Sequence, residues 1–516
     1  MNTGSNRPPG HKEKRELYLT RLAKELEQII TRAYGSLTYN TLCLSNSKLE
    51  ELAGVLVEFA EDVHNDIGIW KSLELYNVEF FGIPLPFVLK TNEDMGSETI
   101  NKYRIQHLLW ILYSELSPEL LLSPTHRDLK KLSTVIAAFL KKRFSNIPQG
   151  SSVKEFLSGS NRFGWEVKRK LIWLGTRSYL FRNSFRNYVQ DNGGKSDIHV
   201  IDDFICQIAT AWSGLGVIDI LALILDIPEE QRTILRSWYE RHTAYYRVLA
   251  NEGHKSEVMN LINDKLYTAR YSADKTPFEV SVVIFGSLLP WNGEWYWSGV
   301  QYQFRDITEE YLQEQIDAFV KKSPQITYRY CSELAEKAKK SIERHYHEFM
   351  KKHDTDIVVY PDGLSMMADY QKDIRLQWES QPREVIAEVM EKYKLKDPSP
   401  SFSVPHDLIE NTKGIGFYFN PDEGQEIMTG FHDIISGFKK KGLDLNEDEE
   451  EGLLSFVKSN SISPKFVRRL IQEYGFESIE SVFLIRNALC ESNIDYLLRR
   501  YKGTYYRRRY SRIALV

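Results

Sequence analysis

The stretch of sequence that decides the fold class is a β-rich segment, Lys265–Phe304, which reads KLYTARYSADKTPFEVSVVIFGSLLPWNGEWYWSGVQYQF. Polar and apolar residues alternate in Lys265–Tyr271 and in Trp295–Phe304, and Phe278–Phe285 is rich in β-branched residues. Glycine, proline and other turn residues separate these runs. Short strands at this spacing predict a small SH3-like barrel or a curled sheet, which we assign to residues 256–306.

Helical patterns lie on both sides of this β module. Upstream, apolar residues recur at helical spacing, and one such stripe consists of Leu19, Leu22, Leu26, Ile29 and Ile30. We therefore predict a helical domain over 16–255, preceded by a disordered lead over 1–15. Its last helix is predicted over 229–250, where two glutamates occupy the first turn.

The sequence downstream of the β module is predicted to be mainly helical as well. We assign helices with a short strand to 307–400, and a mixed segment with a helical C-terminal bundle and a basic tail to 401–516. The fold class is therefore predicted to be mainly α with a small β-barrel-like insert, in a multi-domain α+β chain.

The composition excludes several classes of protein. A net charge of −4 is too small for the whole molecule to be attracted to nucleic acid, so any such attraction must come from a local patch. The polar N-terminus lacks the apolar core of a secretory signal. The cysteines are too far apart for a zinc site or a disulfide framework, and they predict reduced thiols in a cytoplasmic protein: Cys43, Cys206, Cys331 and Cys490.

One apolar segment, Phe204–Ile227, is about long enough to cross a bilayer. Asp219 lies near its middle, where a carboxylate would be costly in a membrane, and two glycines divide the stretch. We therefore predict two buried core helices here and no membrane span.

The densest group of aromatic residues lies in the β module. On a strand, Trp295 and Trp297 share one face and Tyr296 takes the other. We predict a ligand-binding surface that stacks bases or surrounds a cation, made of Trp291, Trp295, Trp297 and Tyr302. The alternative is that these rings fill the barrel or dock it onto the helices.

The C-terminal tail is the second candidate binding surface. Residues 497–516 contain no acidic residue, and tyrosines alternate with basic side chains. Guanidinium groups suit phosphates and tyrosines suit unstacked bases. We therefore predict contacts with nucleic acid or an acidic protein from Arg499, Arg500, Lys502, Tyr505, Tyr506, Arg507, Arg508, Arg509 and Arg512. The alternative is that these arginines pair with carboxylates of the same chain.

Other patterns give weaker indications of chemistry. A nuclease-like magnesium site could use the carboxylates of Asp354, Asp356, Asp362, Asp369 and Asp373, although solvated loop aspartates are commoner. The histidines at 345, 347 and 353 do not have metal-ligand spacing. His199 with Asp202 and Asp203 has better spacing, but capping by Asp202 is the commoner role. Motifs for phosphate loops, dinucleotides, zinc proteases and serine hydrolases are absent, so we predict no metal and no cofactor.

Three stretches resemble an uncharacterised bacterial family, a domain of unknown function: DIGIW at Asp66–Trp70, GSLLPWNGEWYWSG at Gly286–Gly299 and YLLRRYKG at Tyr496–Gly503. The resemblance extends from about residue 16 to the end of the chain. It implies a bacterial cytoplasmic setting, and it supplies no activity, cofactor or catalytic residue.

Our first hypothesis is a non-enzymatic binding protein that contacts nucleic acid through the Trp-rich β module and the Arg/Tyr-rich tail. A metal-dependent nuclease or other hydrolase, acting in a defence context, is the alternative. A structural subunit of a larger assembly is the second alternative, and an exposed apolar patch on the helical domain would support it.

Overall fold

The structure is a computed structural model that describes residues 15–37, 42–89, 98–117, 122–150, 152–212, 214–322, 331–379, 381–393, 406–475 and 491–506. The chain divides into two compact units. The first consists of Met1–Glu336 with Phe483–Tyr510, and the second of Lys337–Val482 with Ser511–Val516. The predicted disordered lead lies outside the described residues except for Arg15, which begins the first helix.

The first unit begins with a series of α-helices. Side-chain caps start several of them: Asn101 accepts hydrogen bonds from the amides of Tyr103 and Arg104, and Asp197 accepts one from the amide of Val200. The helices are α1 Arg15–Tyr34, α2 Asn46–His64, α3 Ile69–Phe81, α4 Lys102–Leu116, α5 Arg127–Phe144, α6 Ser152–Ser158, α7 Gly164–Arg177, α8 Arg182–Asp191, α9 Ile198–Gln207, α10 Val217–Ile224 and α11 Glu229–Arg236. Their apolar faces form one continuous core.

The apolar segment Phe204–Ile227 contains the end of α9 and all of α10, so the prediction of two buried helices is confirmed. Asp219, which argued against a membrane span, lies in the first turn of α10, and its carboxylate accepts a hydrogen bond from the amide of Gly216. Across the described part of the chain, no helix combines the length and apolar character that a bilayer span requires.

A closed five-stranded β-barrel follows the helices. Its strands are β1 His242–Glu252, β2 Lys255–Asn260, β3 Leu266–Arg270, β4 Val283–Trp291 and β5 Glu294–Phe304, in the order β1-β2-β3-β5-β4. Neighbouring strands are antiparallel except β3 and β5, which meet in parallel where Ala269 faces Trp295. The mainly α architecture with a small barrel, in an α+β chain, is therefore confirmed.

The predicted helix over 229–250 is wrong over its second half. Helix α11 ends at Arg236, a short 3-10 helix covers Ser237–Glu240, and β1 starts at His242. In β1, Tyr246 points into the barrel, whereas Tyr245 packs outside against Phe285. Pairing of β1 with β2 and β4 satisfies its backbone groups, and this long-range pairing decides against the helix.

The first unit ends with two helices that are separate in sequence. Helix α12 Glu309–Lys322 follows the barrel, and α20 Glu491–Lys502 returns from the C-terminal region and continues into a 3-10 turn, Gly503–Tyr506. Tyr496 of α20 is fully buried in the helical core, where its ring stacks against Trp110 with centroids 5.8 Å apart. The C-terminal helix is therefore part of the helical domain.

The second unit is built around a three-stranded antiparallel sheet in the order β6-β7-β8. Its elements are α13 Ser332–His353, β6 Ile357–Tyr360, α14 Gly363–Glu379, α15 Arg383–Tyr393, α16 His406–Ile409, β7 Ile415–Asn420, β8 Gly424–Thr429, α17 Phe431–Lys439, α18 Glu447–Lys458 and α19 Pro464–Tyr474. Within the segment that was predicted to be mixed, β8 pairs with β7 and α17 follows directly. On the central strand, Phe417 packs towards α13 and Tyr418 stacks on Phe466 of α19.

Candidate ligand cleft

An open cleft of about 550 Å³ lies between helix α7 and the barrel in the first unit. Helix α7 contributes one face, in which Trp165, Lys168 and Arg169 point towards the barrel. The barrel contributes side chains from the end of β3, from the following loop and from β5, namely Arg270, Tyr271, Lys275, Phe278, Tyr296 and Trp297. Leu289 of β4 also lines the cleft, so side chains from several barrel segments face one helix.

Helix α7 approaches the barrel closely because its first residue is a glycine. A Cβ at Gly164 would lie 2.7 Å from the ring of Tyr296. The carboxylate of Glu166 fixes the start of the helix by accepting hydrogen bonds from the amide of Phe163 at 3.0 Å and from the hydroxyl of Ser160 at 2.7 Å. These contacts set the position of α7, and with it the width of the cleft.

A buried polar network joins the base of the cleft to the helices. Asp202 of α9 binds Lys168 of α7, Arg241 and the hydroxyl of Ser298 in β5. Burial opposes the charged carboxylate, but Lys168 and Arg241 lower the pKa of Asp202 to about 2. The network also includes Cys206, whose sulfur lies 3.2 Å from the Lys168 ammonium. It therefore links two helices to the barrel.

The contact between Lys168 and Ser298, 2.7 Å long, has the composition of a serine–lysine catalytic pair. Burial alone would lower the pKa of Lys168, but Cys206 and Asp202 raise it, so the ammonium stays protonated and cannot act as a base. Ser298 is buried and donates its hydrogen bond to Asp202. The pair is therefore structural in this arrangement.

The cleft is strongly one-sided in charge. The described residues that line it include four basic side chains, Lys168, Arg169, Arg270 and Lys275, and no carboxylate. Lys168 is bound by Asp202, and Arg270 by Glu294. Arg169 and Lys275 are exposed, and within the described residues neither is held in an ion pair. These two cations are free to meet a ligand.

Aromatic rings continue from the cleft to its rim. Phe163 stacks on Trp165 with centroids 4.5 Å apart, and Trp165 meets the ring of Tyr296 edge-on at 5.4 Å. The guanidinium groups of Arg162 and Arg270 lie 5.0 Å and 5.6 Å from the Phe163 ring. Rings and cations therefore alternate along this edge.

Residues 13–224 match the family model described as a protein of unknown function (DUF3843). This match confirms the resemblance to an uncharacterised family over about 40% of the chain. No curated protein and no solved structure matches the chain. The DUF3843 segment includes the DIGIW motif and all of α7, but it ends before the barrel. The α7 side of the cleft therefore lies inside the DUF3843 segment and the barrel side outside it.

The predicted tryptophan surface is divided between core and cleft. Trp295 and Trp297 pack against the barrel interior, and Tyr296 lies on the opposite face against the DUF3843 helices, as the strand alternation predicts. Trp291 is fully buried and donates a hydrogen bond to the carbonyl of Asn161 at 2.7 Å. Of the predicted ligand-binding residues, only Trp297 lines the cleft.

Tyr302 lies elsewhere on the barrel surface. Tyr302 is 47% exposed. Its hydroxyl lies 2.7 Å from Nε2 of His199, which is in the first turn of α9 and within the DUF3843 segment. From their spacing in the sequence, His199, Asp202 and Asp203 were considered as a set of metal ligands. Both aspartates form ion pairs with Arg241, so the structure does not support a metal site at His199.

The described basic residues of the tail pack onto the DUF3843 helices. Arg499 lies between the rings of Phe80 and Tyr506, at 4.4 Å and 4.2 Å, and also binds Asp495. Arg500 is buried with its guanidinium over Trp110.

Other tail residues contribute no open basic surface in the described part of the chain. Lys502 is fully buried, and Tyr505 and Tyr506 are half-buried. The predicted contacts Arg507, Arg508, Arg509 and Arg512 lie outside the described residues.

The aspartates of 354–373 separate into different roles. Asp356 pairs with Arg469, and Asp362 accepts a hydrogen bond from the amide of Ser365 at the start of α14. Asp369 and Asp373 converge with His353, and one ligand atom of each lies within 4.8 Å of the others. The ammonium of Lys352 is already bound between the two carboxylates, at 2.7 Å from each.

Sequence reasoning missed the helix side of the cleft. One face of the helix with the sequence GWEVKRKLIW carries Trp165, Lys168 and Arg169. An aromatic ring beside two cations on one helical face could have indicated a binding surface from the sequence alone. That this face meets Arg270 and Lys275 depends on how the barrel docks, which no local pattern contains.

Proposed function

We propose that the cleft between α7 and the barrel binds single-stranded nucleic acid, as a non-enzymatic binding site in a cytoplasmic protein. The observation that carries this proposal is the lining itself: in the part of the chain that the structure describes, four cations and no carboxylate lie beside Tyr271, Phe278, Tyr296 and Trp297. Phosphates require cations, and unstacked bases require ring faces.

The contacts within the cleft assign separate roles to its cations. Lys168 and Arg270 are held by Asp202 and Glu294, so their charges are largely neutralised within the protein, and their side chains fix the shape of the cleft. Arg169 and Lys275 are unpaired among the described residues and would bind phosphates directly. The stacked pair at the rim, Phe163 and Trp165, offers a platform for bases.

The barrel supports the proposal by a fold-level analogy. The order β1-β2-β3-β5-β4, with β3 and β5 parallel, is that of the five-stranded OB barrel, which carries oligonucleotides or oligosaccharides in many unrelated proteins. We therefore compare the module with OB barrels in preference to the SH3-like barrel expected from the spacing of its strands. Fold alone does not assign function, so the charged lining remains the main argument.

Fluorescence anisotropy with a labelled single-stranded oligonucleotide, measured over a range of salt concentrations, tests the proposal. We expect Arg169→Gln and Lys275→Gln each to weaken binding roughly three- to tenfold and to reduce the salt slope by about 0.7, the value for one lost phosphate contact on a single strand. Lys195→Gln removes an exposed lysine outside the cleft and serves as the matched control. Equal slopes for all three variants, or tighter binding of duplex than of single strand, would refute the proposal.

The tail can be tested separately because its described basic residues pack against the helical core. Deleting 507–516 removes Arg507, Arg508, Arg509 and Arg512 and leaves the buried residues of α20 in place. If the tail binds nucleic acid as well, this deletion lowers affinity and salt slope in addition to the cleft variants. An unchanged salt slope would remove the tail from the proposal and leave the cleft.

The metal-dependent hydrolase is the second hypothesis, and it depends on His353, Asp369 and Asp373. A divalent ion at this position must displace Lys352, whose ammonium both carboxylates already bind. The arrangement is explained without a metal, so we do not favour this activity. The structural-subunit hypothesis rests on exposed apolar side chains of the helical domain, among them Leu75 and Val78 of α3, one turn apart.

A further inference from the structure

The second unit contains its own cavity, of about 380 Å³, between α13, α14 and one face of the sheet. Four residues of α13 line it at i, i+3, i+4 and i+7, which places them on one face of the helix: His345, Glu348, Phe349 and Lys352. Because this unit is separate from the nucleic-acid cleft, the proposal below does not depend on the proposed function.

Aromatic rings form the walls of this cavity. Phe349 and Phe417 lie nearly parallel, with centroids 5.5 Å apart and planes 15° apart. The rings of Phe419, Tyr360 and Tyr370 each lie within 6.5 Å of one of these two. The faces of such rings carry a partial negative charge, which attracts cations.

Carboxylates outnumber cations around the same cavity. Lys352 is bound at 2.7 Å by both Asp369 and Asp373, so two negative charges share one ammonium. Tyr360 fixes one of them by donating its hydroxyl hydrogen to Asp369 at 2.7 Å. Glu348 adds a further carboxylate to the lining.

His345 adds no charge to the cavity at neutral pH. Burial, followed by the nearby Arg344, lowers the pKa of His345, so its imidazole is neutral at pH 7. Among the described lining residues, the carboxylates of Glu348 and Asp373 outnumber the ammonium of Lys352, so the lining is negative, in contrast to the basic cleft of the first unit.

We propose that this cavity binds an organic cation, a small ammonium compound whose body is flat or apolar. The aromatic walls would hold the apolar body, and the negative charge that Lys352 leaves unbalanced at Asp369 and Asp373 would neutralise the ammonium. An anion is disfavoured, because the ammonium of Lys352 is already bound by two carboxylates, which would repel it. A bare metal ion would leave the aromatic walls unused, because it takes oxygen, nitrogen or sulfur ligands.

The test is calorimetric titration of the full-length chain with benzyltrimethylammonium, compared with phenylacetate, an anion of similar size, at the same ionic strength. We expect saturable binding of the cation and no binding of the anion. Asp373→Asn removes one carboxylate and keeps the side-chain size, and we expect it to weaken cation binding about fivefold. Asp444→Asn, an exposed position outside the cavity, is the matched control and should leave binding unchanged.

The variant Lys352→Gln distinguishes the hypothesis of a cation site from that of an anion site. It removes the ammonium that competes for Asp369 and Asp373, so cation affinity should rise. A fall in affinity, binding of phenylacetate as tight as that of the cation, or no saturation by the cation would overturn the proposal. Displacement of the cation by equimolar Mn²⁺ would assign the carboxylates to a metal and would also overturn it.

Discussion

At the scale of single residues, Asp202 has the largest predicted effect, because one carboxylate serves Lys168, Arg241 and Ser298. Removing its charge leaves two cations buried without their shared partner. We expect Asp202→Asn to lower the free energy of unfolding of the first unit by about 3–5 kcal/mol. Chemical denaturation at pH 7 measures this loss, and Asp226→Asn, an exposed aspartate of the same unit, should change stability little.

The pH dependence of the same variant has a definite sign. The pKa of Asp202 is about 2 in the folded protein and 3.8 for an ordinary aspartate. Its stabilisation is therefore fully present above pH 3.8 and is lost as the pH falls towards 2, a change of about 2 kcal/mol. The Asn variant should lack this acid-sensitive component. An identical decline in both proteins between pH 4 and pH 2 would show that Asp202 is not ionised in the network.

At the scale of elements, the approach of α7 to the barrel depends on Gly164. A methyl group there would lie 2.7 Å from the Tyr296 ring, so Gly164→Ala should push α7 and Tyr296 apart and cost about 1–3 kcal/mol. Because the displaced ring lines the cleft, oligonucleotide affinity should fall as well. Gly54→Ala is the control, since a Cβ in that helix meets nothing within 4 Å. Unchanged stability and unchanged affinity would show that the close approach is not needed.

The elements also show how far the sequence could be interpreted. Strand alternation correctly placed Trp295 and Trp297 on one face of β5 and Tyr296 on the other. The aromatic residues of β1 fit a helical stripe as well as a strand, and only pairing with β2 and β4 decides between the two. The cleft was not predictable for the same reason: Arg169 and Lys275 lie far apart in the chain, and docking of the barrel brings them together.

At the scale of the whole molecule, the first unit is discontinuous in sequence, because the second unit lies between its two parts. Helix α20 follows the second unit in sequence, yet Tyr496 is buried among Phe81, Phe87 and Trp110 of the first. Backbone packing supports this docking, because a Cβ at Gly214 would lie 2.0 Å from the carbonyl oxygen of Arg499. The DUF3843 segment, which ends at residue 224, therefore lacks part of the core of its own domain.

Because the first unit is discontinuous, we can predict which of the two units is destabilised by a substitution in α20. Tyr496→Ala should cost about 3–5 kcal/mol, as expected for a buried aromatic ring, and the whole loss should fall on the first unit. Hydrogen exchange in mild denaturant should show faster exchange in peptides from α2 and α3 and unchanged exchange in peptides from β7 and β8. Tyr311→Ala, at a position that is 51% exposed in the first unit, should leave both sets unchanged. Faster exchange in β7 and β8 would mean that α20 stabilises the second unit, because Tyr496 has its described ring contacts only with the first.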